Sequence, residues 1–460
     1  MKQTSSDATT TRTVSLMPRT LLVVCWLLAT IGMVFVAATN FPAPGWDMNV
    51  YRNAIHSVQI GHDPWADGVA VQKAHIAYTR THPYEMPPFT YVYSPITLPL
   101  LQLLARIPEH PLKIAYWALF ILANIITMVV LLRTCLEQKS FRDFRASSDP
   151  HQFESTLFWY LAPASVFFAG LLYTSVELSG NLAYILYAMM LATAMLGWRR
   201  NVWSPFYLAV VLAACFKAPM LTLLALPVFT TKTQWRAATL TGALGLTLFF
   251  LPSRLWPAQF HHYLEAVSLQ FSINHDFGDG LASIIGNLLF YLGKPYELAS
   301  LLVYALYASA VLLTLYVLSR CYLRGDFPLH RWLPVLLCGI ILLNPRIKEY
   351  DVAPITLPMA IIAWRVLGRG ITSLRTGFEC LLLFVTLSAV ATCSPIAWKP
   401  TECFLLLGIF ALGASDLLQI SATKTAPPLR PSGDPFDELR DELYAAPRYE
   451  PSGELEPVAR

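Results

Sequence analysis

Long apolar runs interrupted by almost no charge decide what this chain can become. LLVVCWLLATIGMVFVAAT at 21–39 is the first, and LASLLVYALYASAVLLTLYVLSR at 298–320 is another. About 20 residues rising 1.5 Å each cross a hydrocarbon layer of roughly 30 Å. No water inside that layer satisfies backbone polar groups, so only helices and closed barrels span it. A barrel would show alternating segments of about ten residues, which are absent here. The fold class is therefore an all-α polytopic membrane protein. Composition agrees: 55% of the 460 residues are hydrophobic and 13% are charged, against about 25% charged in soluble domains. A net charge of +4, scattered at loop edges, gives no footprint for nucleic acid.

The chain divides into a disordered cytoplasmic N-terminus (1–18), a transmembrane domain (19–421) containing a large first extracytoplasmic loop (41–93), and a disordered cytoplasmic tail (422–460). Lys2, Arg12 and Arg19 precede the first span at 20–38, which is read as uncleaved with its N-terminus inside. Further candidate spans are 94–107, 112–133, 155–175, 180–198, 205–217 with 219–230, 238–251, 280–292, 298–320, 331–344, 352–367, 375–393 and 401–420, for a total of 11–13. Parity requires that either 94–107 or 155–175 does not cross. Basic connections at Arg133–Arg145, Arg199–Arg200, Lys232–Arg236, Arg320–Arg331 and Arg365–Arg375 are expected in the cytoplasm. The eight cysteines carry no CxxC pair and read as packing, with Cys393 and Cys403 the one pair close enough in sequence to bridge.

Under that topology the polar groups gather on the outer side. Asp47 follows the first span, at the head of a short amphipathic helix (47–58) in which Val50, Ala54, Ile55 and Val58 share a face. It is a candidate general base, and the bland alternative is a helix N-cap. Lys217 interrupts two half-length apolar segments at Lys217-Ala218-Pro219, an apex where an ammonium meets a lipid phosphate or snorkels to headgroups. Asn344-Pro345-Arg346-Ile347-Lys348-Glu349-Tyr350-Asp351 is a phosphate clamp or a self-compensating salt-bridged loop. The outer loop 252–280 offers His275 and Asp276, around 272–280, for metal binding or proton transfer, but their spacing matches no tight metal motif and the bland reading is a solvated loop. Tyr91 and Tyr93 sit in an aromatic stretch suited to an interfacial belt or a sugar site, and Asn181 binds a hydroxyl or caps the next helix. HEXXH, GXSXG, Walker A and Rossmann patterns are absent.

In chain order, GWDMNVY, GHDPW, FTYVYSPITLPLLQLLARIP, the Ser179-Gly180-Asn181 before a span, the Lys-x-Pro apex and NPRIKEYD resemble glycosyltransferase family 87, over residues 20–400. The resemblance implies a GT-C-like helical bundle and an inverting hexosyl transfer, with mannose first among the sugars. The donor would be a polyprenyl-phosphate sugar, and the acceptor a lipid or glycan at the extracytoplasmic face of the plasma (inner) membrane. It implies Asp47 as catalytic base, with Lys217, Arg346 and Lys348 on the donor phosphate. Trp46, Tyr51, Asp63, Tyr91 and Tyr93 are candidates for binding the substrates, as are Asn181, His275, Tyr350 and Asp351. No cofactor is required, and a divalent metal is compatible with the chemistry. The family's usual Gly-Gln-x-Asn stands here only as Ser179-Gly180-Asn181. Two other classes fit lipid-linked saccharides: a transporter or flippase, and a polysaccharide ligase or polymerase. Ionisable groups gathered at one face, and a large loop early in the chain, favour the transferase.

Overall fold

The structure is a computed structural model, and it describes residues 45–79, 89–135, 179–274, 278, 280–367 and 398–425. The expected spans 20–38, 155–175 and 375–393, the cytoplasmic N-terminus, His275, Asp276, Cys393 and the tail from 426 lie outside the described residues.

The described residues are helical, with no strand among them. Helix α1 is Trp46–Gln59, α2 Pro64–Thr79, α3 Leu98–Leu104, α4 Glu109–Cys135, α5 Ala183–Arg200, α6 Ser204–Phe216 and α7 Ala225–Thr230. After these come α8 Trp235–Phe250, α9 Pro257–Asn274, α10 Leu281–Tyr291, α11 Glu297–Arg324, α12 Leu329–Leu342, α13 Thr356–Leu367 and α14 Trp398–Thr425. Among the described residues, four stretches are long and apolar enough to cross a membrane: Glu109–Cys135, Trp235–Leu255, Glu297–Arg324 and Cys403–Lys424. Their outer faces carry exposed large apolar side chains such as Ile121, Ile125, Leu240, Leu306, Leu313 and Phe404. In water such faces would be costly, and in lipid they are the solvated surface. The core sits around α12, buried from Trp332 to Leu342 and packed by α4, α11, α13 and α14.

Several expected spans do not cross. The 94–107 segment is a 3-10 turn, Pro95–Thr97, followed by the seven-residue α3. Together they rise about 16 Å, half a bilayer. Its far end stays beside α1, where Gln59 Nε2 donates to the Ala105 carbonyl at 2.9 Å. Of the two segments that parity set against each other, 94–107 is thus one that does not cross. The 280–292 segment is the 11-residue α10, also too short, laid along the first turns of α11. The 205–217 and 219–230 segments form one broken hairpin. Its two feet meet through the Tyr207 hydroxyl on Gln234 Oε1 (3.0 Å), α5 ties onto the second foot through Trp198 Nε1 on Thr230 Oγ1 (3.2 Å), and Lys217 stands at the tip. The expected loop at 252–280 is instead mostly α9, which packs against α2.

The bundle has two chemically distinct ends. Arg199 and Arg200 end α5, Arg324 ends α11 and Arg365 lies in the last turn of α13. Arg365 reaches the carbonyls of Arg331 and His330, and Arg324 meets Asp326 at 3.0 Å. The opposite end carries α1, α2, the start of α5, the tip at Lys217 and the 344–351 loop.

Candidate functional site

The site is built on an asparagine. Ser179, Gly180 and Asn181 form a tight turn ahead of α5, with Gly180 at φ 67. An L side chain is strained there, which explains the glycine. The Ser179 hydroxyl accepts the Asn181 N–H at 3.1 Å, and the Gly180 carbonyl accepts the Tyr116 hydroxyl of α4 at 2.6 Å. Asn181 Oδ1 accepts the Ala183 N–H at 2.9 Å, and its Nδ2 donates to Asp47 Oδ2 at 3.0 Å. Asp47 is not the N-cap of α1. Gly45 holds that position, and Asp47 stands partly buried in the first turn, where an acidic group complements the helix dipole.

Lys217 comes from below. The last helical bond of α6 is the Lys217 N–H to Ala213 at 2.9 Å, and Pro219 cannot continue the ladder. The backbone turns to φ −135, ψ 101 at Lys217. Its ammonium donates to Asn181 Oδ1 at 3.4 Å and sits 3.7 Å from the centre of the Tyr350 ring, with Tyr93 at 6.0 Å. The charges of Asp351, Asp47, Arg346 and Lys348 all act on it. One carboxylate from α1 and three cations from two distant segments therefore share one end of the bundle.

The 344–351 loop is folded by its own side chains. Asn344 Oδ1 accepts the Arg346 N–H at 3.1 Å, and Asn344 Nδ2 donates to Asp351 Oδ2 at 3.1 Å. The same oxygen accepts the Lys348 N–H at 3.1 Å. Asp351 and Lys348 are buried, while Arg346 and Tyr350 are partly exposed. The Tyr304 hydroxyl ties the loop's base to α11 through the Leu343 carbonyl at 2.8 Å. Gly278 packs on its outer side: at φ 92, a Cβ there would stand 2.6 Å from the Ile347 carbonyl oxygen.

Tyrosines line the remaining side. The Tyr51 hydroxyl accepts the Leu182 N–H at 3.0 Å and meets the Tyr93 hydroxyl at 2.8 Å. Burial, then the neighbouring Tyr93, Tyr116 and Asp47, push the Tyr51 phenol well above its usual range. Burial and then Asp47 do the same to Tyr93. Both hydroxyls stay protonated at neutral pH, so they orient their neighbours and do not act as bases.

Other candidates stand apart from this group. Asp63 caps α2, accepting the Trp65 and Ala66 N–H groups at 2.9 and 3.2 Å on Oδ1, while Oδ2 meets His262 of α9 at 2.9 Å. Tyr91 is buried, with its hydroxyl on Thr97 at 2.8 Å and its ring against Trp65. Trp46 opens α1, partly buried. Tyr116 belongs to the site and escaped the sequence reading, while Ser179 and Asn344 entered it only as members of their motifs, with no role of their own. Tyr116 lies within an apolar run, and the Ser-Gly-Asn turn was the one local sign of Ser179. Among the described residues, no group of three His, Cys, Asp or Glu side chains stands close enough to hold a metal ion.

The family model for glycosyltransferase family 87 matches residues 91–345. That stretch holds Tyr93, Tyr116, Asn181, Lys217 and Asn344, whereas Asp47 precedes it and Arg346–Asp351 follow it. No curated protein and no solved structure shows significant similarity to the chain. With more than half of its length matched, a helical membrane bundle around it and a carboxylate–cation group at one end, the chain is a membrane glycosyltransferase and belongs to glycosyltransferase family 87.

Proposed function

We propose that this glycosyltransferase moves a hexose, mannose first, from a polyprenyl-phosphate donor to a lipid or glycan acceptor at the extracytoplasmic face of the plasma membrane. The observation that carries the reading is the joining of Asp47 and Lys217 through Asn181, with Tyr350 of the loop that carries Arg346 and Lys348 set against the Lys217 ammonium. Asp47 takes the proton of the acceptor hydroxyl as its oxygen attacks the anomeric carbon. The bond from that carbon to the phosphate oxygen breaks on the opposite face, and the configuration inverts. Polyprenyl phosphate leaves with the bonding pair, and the cations stabilise the charge that develops on it. The isoprenoid tail stays in lipid, which accounts for a transferase built from membrane helices. The basic groups at the far end of the bundle support the extracytoplasmic assignment.

The test uses the full chain in nanodiscs with radiolabelled polyprenyl-phosphate mannose and membrane lipid extract. Wild type transfers label to lipid or glycan, and Asp47→Asn loses about 10²-fold or more in kcat. Equal activity of the variant removes Asp47 as base. No transfer from mannose, glucose or arabinose donors removes the polyprenyl-phosphate donor.

A further inference from the structure

The site uses one device twice. In Asn181 and in Asn344, Oδ1 accepts a backbone N–H two residues on (Ala183 at 2.9 Å, Arg346 at 3.1 Å), and Nδ2 donates to an aspartate Oδ2 (Asp47 at 3.0 Å, Asp351 at 3.1 Å). The backbone donor fixes which end of each amide is oxygen, because a flipped amide would set NH2 against N–H. Asn181 alone takes on a third partner, the Lys217 ammonium at 3.4 Å, on the same Oδ1. It is 3% exposed, so both ends of its amide are committed inside the protein.

We infer that Asn181 is a positioning residue that acts through Asp47 and Lys217, and not a ligand for a substrate hydroxyl. A carboxylate and an ammonium in a partly buried site attract one another and drift. One planar amide bonded to both fixes their separation, and with it the spacing between the group that takes the acceptor proton and a group that faces the leaving phosphate. The turn supplies the rigidity: Gly180 at φ 67 reverses the chain, and the Tyr116 hydroxyl holds the Gly180 carbonyl at 2.6 Å. This inference rests on the reading of Asp47 as base.

The experiment compares wild type, Asn181→Ala and Asn181→Asp in nanodiscs, with polyprenyl-phosphate mannose as donor. In Asn181→Ala, kcat falls about 10²-fold, as for a misplacement of about 1 Å, while the donor KM stays within about threefold of wild type. Asn181→Asp keeps the shape and the Oδ1 acceptor but sets a second carboxylate against Asp47, and it falls at least as far with its unfolding midpoint retained. A raised donor KM with unchanged kcat would make Asn181 a substrate ligand and overturn the inference, as would full activity in either variant. If wild type itself turns over no donor, the proposed function fails, and Asn181 is then judged by carbodiimide labelling of Asp47 read by mass spectrometry. Labelling about fivefold faster in Asn181→Ala, the equivalent of one lost hydrogen bond, upholds the positioning role. Equal rates overturn it.

Discussion

Replacing Tyr350 by leucine should weaken donor binding through Lys217. The Lys217 ammonium lies 3.7 Å from the centre of the Tyr350 ring, inside the 6 Å range of a cation–π contact. Such contacts contribute about 0.5–1 kcal/mol when exposed and about 2 or more when desolvated. Lys217 is partly buried, which puts the contact at about 1–2 kcal/mol. At 1.4 kcal/mol per tenfold, that is about a 5- to 30-fold loss. Tyr350→Phe keeps the ring and should stay within about twofold, because the π-face and not the hydroxyl meets the ammonium. The assay is the dissociation constant of polyprenyl-phosphate mannose measured without acceptor on full chain in nanodiscs, completed as a double-mutant cycle with Lys217→Met. The cycle should return a coupling of about 1–2 kcal/mol, above the scatter of about 0.3–0.5 expected of independent sites. A leucine variant that binds as tightly as wild type, or more tightly, refutes the reasoning. It would mean that the ring competes with the phosphate for the ammonium instead of presenting it.

Two further outcomes follow from the geometry. Gly278→Ala adds a Cβ 2.6 Å from the Ile347 carbonyl at a backbone φ of 92, and should destabilise by about 2–5 kcal/mol. Gly293→Ala, also at positive φ but facing open space, should cost only about 1–2, and thermal unfolding in detergent checks the order. The Ser421 hydroxyl, ahead of Arg324, holds the Asp326 carboxyl below the usual carboxylate range. That stability is present above the unfolded pKa, about 4, and is lost as pH falls through the folded one. Ser421→Ala should therefore lower the unfolding midpoint at pH 7, and the gap to wild type should shrink as the melts are taken down to pH 3.5.

The features legible in the sequence were those with local causes. Apolar length gave the helical class, and the i, i+4, i+5 spacing gave α1, where Val50, Ala54 and Ile55 are buried. A proline two residues after Lys217 gave the apex. Features set by distant pairing were not legible. Helix α2 lies against α9 and is pinned there by Lys73 on Glu265 at 2.6 Å, a bond that lowers the Glu265 pKa. No short-range pattern announces such a contact. Asp63, named as a substrate-binding candidate, meets His262, which lies 199 residues away and is invisible to a local reading. Segments 94–107 and 280–292 are short apolar pieces packed against other helices of the bundle, and hydropathy alone does not separate such packing from a crossing.

Each of the two carboxylates at the site has its own asparagine partner, yet their settings divide the work between them. Asp351 Oδ2 accepts both the Asn344 amide and the Lys348 N–H, and the side chain is 4% exposed. Removing it would strand two buried donors at about 1–3 kcal/mol each, and would take a counter-charge from Lys217. Its carboxylate is committed to folding the loop that carries Arg346 and Tyr350, so protonating it in each turnover would loosen the cations when a leaving phosphate needs them. Asp47 stands on a helix whose path is set elsewhere, by Val50, Ala54 and Ile55 in a cluster with Trp65 and Tyr93. Its bond to Asn181 runs from side chain to side chain, which suits a group that gains and loses a proton. That asymmetry is why the proposal assigns the base to Asp47 and leaves Asp351 as the counter-charge. It also explains how a loop that reads as self-compensating salt bridges can be structural through its carboxylate and functional through its cations.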